Sequence, residues 1–153
     1  MQLELVNPFV EASYDIIKNF LPEGVSKSNI DLLNKDTILH GVSIRIRFKD
    51  KMRSAVVINM EEEVAFQIAS QLSGEKIDNW DEYSQSIIQE FGNMLSGSAV
   101  TKLSAAEIDL DIAPPEFLSD ANIAEQIKTE NEAMNVTIDT IAGRLQVIVY
   151  IEE

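Results

Sequence analysis

No cysteine occurs in the 153 residues. Disulfides, thiolate nucleophiles and cysteine metal sites are therefore excluded. Histidine is almost as scarce. His40 stands alone, without a serine or cysteine elbow and without a companion ligand, which leaves it a structural place at a strand edge. Positive charge is thin: 12 Lys and Arg face 26 Asp and Glu, for a formal net charge of -14. A polyanionic surface repels phosphate backbones and anionic lipid, so nucleic acid and membranes are excluded as general partners. A protein partner stays open, provided that it is met through a local patch. No stretch approaches the ~18 apolar residues of a membrane helix, and the opening MQLELVNPF has no basic leader region. The expected compartment is the reducing cytoplasm. A phosphate-cradling glycine loop and a dinucleotide fingerprint are both missing.

What remains is an ordinary globular composition, 45% apolar and 25% charged, in a chain long enough for one domain with a real core. Asn7-Pro8 predicts the cap and first position of a helix running from about residue 8 to about residue 21, where Pro22 and Gly24 stop it. Ser26 to Leu33 is a weak strand candidate. Val42, Ile44, Ile46 and Phe48 alternate with Ser43, Arg45, Arg47 and Lys49, which predicts a strand with one buried face. Lys49-Asp50-Lys51 turns the chain into a second strand, Ser54 to Met60. A second helix opens on Glu61-Glu62-Glu63, where acidic residues suit the positive helix end, and stops at Gly74. A long third helix spans about Asp78 to Leu103. Ile108 to Ile112 reads as a strand, residues 116 to 130 as a polar connection, and Met134 to Ile151 as a hairpin turning at Ala142-Gly143. Strands bunched in hairpins, with helices grouped apart, indicate an α/β two-layer domain in which a mainly antiparallel sheet packs against long helices.

The third helix carries the chemistry. At about 100° per residue, Trp80, Ile87, Phe91, Leu95 and Ala99 fall on one arc and are expected in the core. Ser86, Glu90, Asn93 and Gly97 fall on the opposite side as one exposed stripe. A Glu and an Asn three apart on such a face are most often merely solvated. The same spacing recurs at Glu4 to Asn7 and at Glu132 to Asn135, but neither of those pairs is shown on one mid-helix face. Asn and Gly are poor mid-helix residues. Gly92, Ser96 and Ala99 have a packing explanation, as a small-residue face for close helix contact, whereas Asn93 has none. Asp109 and Asp111 share one side of the strand after the helix, but a hard-cation site needs more oxygen ligands, so no metal is expected there.

These residues resemble the CheX family, within the superfamily that also holds the CheC and FliY phosphatases of bacterial chemotaxis. The likeness lies in Asn7-Pro-Phe-Val-Glu-Ala12, in Val56-Val-Ile-Asn-Met60 running through Ala65 to Gly74, and above all in Glu90-Phe-Gly-Asn-Met-Leu-Ser-Gly97 with Lys102-Leu103. It covers roughly residues 4 to 115 and the terminal hairpin. The family's proline beyond the Asn falls by count at Glu116, one residue past Pro115. CheC relatives carry two active helices; here, as in CheX, there is one.

The resemblance implies a single CheX-like phosphatase domain over residues 1–153, which removes phosphate from the aspartyl-phosphate of a CheY-like receiver. Asn93 would position the attacking water, Glu90 would contact the receiver's lysine, and Ser86 and Gly97 would flank them against the partner. It implies no cofactor bound by this chain, with Mg2+ carried by the receiver, and a homodimer. The alternating segment Arg144 to Ile151, which needs a pairing partner, agrees with the last point. A non-catalytic receiver-binding or flagellar-switch-related module of the same fold is the alternative, and such a module would not need both Glu90 and Asn93.

Overall fold

The computed structural model describes residues 2–21, 23–33, 39, 41–49, 53–118 and 133–151. Pro22, His40, Asp50, Lys51, residues 119–130 and Glu132 and the side chain of Glu4 lie outside this set, and with them the readings placed on them. Among the described residues, three helices and seven strands follow one another as α1 (Gln2–Phe20), β1 (Ser26–Lys27), β2 (Asp31–Leu32), β3 (Val42–Arg47), β4 (Ser54–Met60), α2 (Glu62–Ser73), α3 (Glu82–Ala105), β5 (Glu116–Leu118), β6 (Met134–Thr140) and β7 (Gly143–Ile151).

The strands form one sheet in the order β1-β6-β7-β4-β3-β5, with β2 also on β6, and every pairing is antiparallel. Its centre is β7, which pairs with β4 from Leu145↔Met60 to Ile151↔Ser54 and with β6 from Gly143↔Thr140 to Val149↔Met134. The long C-terminal segment therefore finds both partners within its own chain, and its need for pairing is no argument for a dimer.

Alternation along the strands sends Val42, Ile44, Ile46, Val56, Ile58, Met60, Leu145, Val147 and Val149 into one core with Phe9, Ile17, Val64, Ile68, Phe91 and Leu95 of the helices. The opposite face of β3 is covered too. Ser43 and Arg45 are buried, and Ala55, Val57, Ile148 and Tyr150 form a second cluster with Ala133, against which Leu33, Leu39 and Leu118 pack. The expectation of one buried face thus fails on β3. Arg45 keeps its charge there because its Nε donates to Glu116 Oε1 at 2.9 Å, an oxygen that Arg47 Nη1 also reaches at 2.9 Å.

Several boundaries differ from the sequence reading. α1 begins at Gln2, so Pro8 lies inside the helix rather than at its first position. Pro8 removes one rung of the ladder, but Val6 continues the buried stripe of Phe9, Val10, Ile16 and Ile17, and that packing outweighs the lost bond. Ile108 to Ile112 forms no strand. Its last residues touch the sheet through one antiparallel bridge, Phe48↔Ile112, with the bonds Lys49 N–H to Asp111 O and Ala113 N–H to Arg47 O, on the same side of β3 that β5 pairs with further along. Within the expected polar connection, residues 116 to 118 are instead an edge strand on β3. α2 matches its expected limits: Glu62 and Glu63 occupy its first turn, and Gly74 closes it in the left-handed conformation.

Candidate functional site on the third helix

α3 starts where local chemistry fixes it. Asp81 accepts from the Ser84 backbone N–H at 2.9 Å, and Ser84 Oγ accepts from the Asp81 N–H at 2.8 Å, a reciprocal cap. The bond from the Ser84 N–H holds the Asp81 carboxyl below its ordinary pKa. This start leaves Trp80 outside the helix and off its periodicity. It was expected in the core, yet it is 37% exposed and packs edge-to-face on Phe117 at 5.7 Å. The buried arc is Ser84, Ile88, Phe91, Gly92, Leu95, Ala99 and Leu103, so Ile88 takes the place foreseen for the half-buried Ile87.

Three contacts fix the rotation of α3 about its axis. Phe91 meets Phe20 of α1 at 6.4 Å, and Lys102 Nζ reaches Asp15 of α1 at 3.1 Å. On the other flank Gln89 Nε2 donates to the Pro115 carbonyl at 2.6 Å. A Cβ at Gly92 would lie 3.1 Å from Pro115 Cβ and 3.6 Å from Ile44 Cδ1. The close neighbour of Gly92 is thus a loop proline and a strand, not a second helix as its small-residue face suggested. Pro115 is buried. Two members of the clamp, Gly92 and Pro115, stood out in the sequence, but nothing there signalled that they meet or that Gln89 joins them.

Opposite the core, Ser86, Glu90, Asn93 and Gly97 are all exposed, as the spacing foresaw. Asn93 Nδ2 and Glu90 Oε2 stand 3.4 Å apart, the long end of hydrogen-bond range, so both groups keep capacity for a partner. Ser86 Oγ is turned onto its own helix, donating to the Tyr83 carbonyl at 2.7 Å. Gly97 would place a Cβ in open space, so no contact among the described residues requires a glycine there. Tyr83, three residues before Ser86, extends the same stripe and was missed. It is 51% exposed, and its hydroxyl donates to Glu75 Oε2 at 2.8 Å, which raises the phenol's pKa.

Chemically the pair is an amide, able to donate and accept at once, beside an acceptor carboxylate, on a surface that large molecules can reach. Among the described residues no three of His, Cys, Asp and Glu are grouped to hold a metal ion, and Asp109 and Asp111 are both exposed. Among the same residues no helix is long and apolar enough to cross a membrane.

The family model described as Chemotaxis phosphatase CheX matches residues 42–139, which include β3, β4, α2 and all of α3. The CheY-P phosphatase CheX of Thermotoga maritima is 24% identical over 120 residues, covering 78% of this chain and 77% of that protein. Two solved structures share the fold over nearly the whole chain. A chemotactic CheC-like protein from Shewanella oneidensis superposes with a TM-score of 0.83 at 17% identity, covering 99% of this chain and 100% of that one. The CheX chain of a CheX–CheY–BeF3–Mg2+ complex from Borrelia burgdorferi gives 0.74 at 26% identity, covering 97% of each. With a match over more than half its length and the same architecture, the chain belongs to the CheX family of chemotaxis phosphatases.

Proposed function

We propose that this protein dephosphorylates the aspartyl-phosphate of a CheY-like receiver domain. The observation that carries the reading is the Glu90–Asn93 pair, exposed together on a helix whose rotation is fixed from both flanks. The Thermotoga relative bears the name of such a phosphatase, and the Borrelia relative was solved with CheY, BeF3 and Mg2+.

Water attacks phosphorus, the bond from phosphorus to the aspartyl oxygen breaks, and the products are a carboxylate and inorganic phosphate that keeps the water's protons. The leaving group is a carboxylate and needs no proton, so a histidine acid is unnecessary. Asn93 holds the water in line through its amide without bringing negative charge against the phosphoryl group. Glu90, one turn away, accepts from a lysine of the receiver and sets the register. Mg2+ belongs to the receiver, where it neutralises charge developing on the phosphoryl oxygens. This reading places the protein in the cytoplasm with its partner. It also includes a homodimer, on family likeness alone. Because β7 is central, a joined sheet would have to use the β5 edge or the β1–β2 edge.

The test is phosphate release from a phosphorylated receiver. Asn93→Ala should slow release at saturation by about 10²-fold or more, with receiver affinity kept, because its interaction matters chiefly in the transition state. Glu90→Ala should weaken affinity as well as turnover. If Asn93→Ala turns over like the wild type, the reading fails.

A further inference from the structure

We propose that the turn end of the β3–β4 hairpin is a binding site for a small phosphorylated molecule, held by the guanidiniums of Arg47 and Arg53 and the ammonium of Lys49. The inference does not depend on the phosphatase reading.

Positive charge is scarce in this chain and unevenly placed. Five of the 12 Lys and Arg fall within residues 45–53, beside one acid, Asp50. The fold brings two of these cations to one cavity of about 390 Å³, lined by Arg47, Phe48, Arg53 and Ser54. Phe48 and Ser54 are buried, so the two guanidiniums are the part of the lining that meets solvent. Lys49 is exposed, and strand alternation puts it on the side of Arg47. Arg47 is fixed in direction, since its Nη1 donates to Glu116 Oε1 at 2.9 Å. It follows Arg45 on the face of the sheet that carries Ala55, Val57 and Tyr150, opposite the helices. The Glu90–Asn93 pair of α3 therefore belongs to the other face.

Arg53 is the informative residue. Its φ is 57°, in the left-handed region where glycine is unstrained and a long side chain is not. Among the described residues its side chain makes no ion pair that would offset this strain. An external partner supplies the reason for an arginine at that position.

Charge selects the ligand. A phosphoryl group carries about -1.5 to -2 at neutral pH and three strong acceptor oxygens, which suits converging guanidiniums better than a single carboxylate does. The surroundings limit its size. Attraction reaches only about 8 Å in physiological salt. Asp109 and Asp111 are exposed beside the hairpin, where the Lys49 N–H meets the Asp111 carbonyl. A polyanion laid across the hairpin would meet these carboxylates and the rest of a chain carrying -14, whereas a small anion within the cavity would not. The cavity is also in the range of about 300–1,000 Å³ that small-molecule sites occupy.

The probe is inorganic pyrophosphate, titrated without Mg2+ into the full chain in about 0.15 M chloride and followed by calorimetry. Saturable binding at one site per chain is expected. Heat that is absent, or that never saturates, overturns the proposal. Arg53→Gly removes the guanidinium and relieves the backbone. It should melt no lower than the wild type, yet raise Kd for pyrophosphate by about 10-fold or more, the loss of one charge-assisted hydrogen bond. A lower Tm with unchanged Kd would make Arg53 a structural residue and end the proposal. Lys49→Gln should also weaken binding, several-fold, while Lys18→Gln, a cation held over the Tyr14 ring, should leave it unchanged. Citrate has similar charge and no phosphoryl group, so it should compete about 10-fold more weakly; equal competition overturns the assignment to phosphate. Arg53→Gly should keep wild-type Kd and turnover for the phosphorylated receiver. If it loses receiver affinity and pyrophosphate does not bind the wild type, the cavity serves a protein partner and the small-molecule site is wrong. Asn93→Ala should bind pyrophosphate as the wild type does, so the phosphatase reading and this site can fail separately.

Discussion

Two glycines on α3 should respond in opposite directions to the same added methyl. In a helix interior, Gly→Ala ordinarily gains about 1 kcal/mol from backbone entropy. At Gly97 the new Cβ meets nothing within 4 Å, so the full gain is expected. At Gly92 it would stand 3.1 Å and 3.2 Å from two carbons of the Pro115 ring. Comfortable contact between carbons is about 3.5–4.0 Å. The ring must therefore yield by several tenths of an ångström, but its carbonyl is tied to Gln89 and the next residue is paired with Arg45 of β3. Overpacking of this kind costs about 1–3 kcal/mol, which cancels or exceeds the helix gain. The two variants should differ by about 2 kcal/mol, which for a chain of this size is about 4–8 °C in Tm. Thermal melting followed by circular dichroism measures it. A rise in Tm for Gly92→Ala as large as that for Gly97→Ala would show that Pro115 does not press on the helix. Gly97→Ala carries a second expectation: although more stable, it should bind receiver several-fold more weakly, because its methyl projects from the contact stripe.

Phe91→Ala empties a fully buried site facing Phe20 and should lower stability by about 3–5 kcal/mol, read from urea unfolding; a loss below 1 kcal/mol would mean that the core is loosely packed there. Asp81 has a depressed folded pKa, so its stabilisation is present above its ordinary value of 3.8 and is lost as pH falls through the folded value. Asp81→Asn keeps the acceptor but not the titration, so its Tm should fall less steeply than the wild type's below about pH 4; superimposable pH profiles would refute this. Dephosphorylation should require Mg2+ although the isolated chain does not bind it stoichiometrically, and tight Mg2+ uptake in calorimetry of the chain alone would count against the mechanism. Light scattering should give a homodimer at micromolar concentration, and a monomer would remove the dimer from the reading.

Local regularities were legible in the sequence, and long-range contacts were not. β3 and α2 fell where alternation, acidic first turn and terminal glycine placed them, since those signals lie within the elements themselves. The stripe of Ser86, Glu90, Asn93 and Gly97 was legible for the same reason: helical spacing alone fixes it. Trp80 was misplaced because periodicity was carried past Asp81, where the reciprocal cap with Ser84 ends it. β5 was read as a loop because three residues carry no period; its reason to be extended is β3, far away in sequence. Arg45 alternated as a solvent-facing residue would, and its burial is made tolerable by partners distant in sequence, Glu116 among them. The clamp of Pro115 on Gly92 is likewise a meeting of distant segments. Gly92 announced that something came close, without announcing what.

The position of β7 between β4 and β6 also bears on how the protein is made. β4 leaves the ribosome well before β7 exists, with its hydrogen-bonding edge and the buried positions Ala55 to Ile58 lacking their eventual neighbour. During that interval the β3–β4 hairpin is an unpaired apolar edge, the kind that joins other chains. The sheet can close only when Leu145 to Ile151 inserts into its middle, so a polypeptide cut short before Gly143 should accumulate in inclusion bodies rather than as a smaller folded domain.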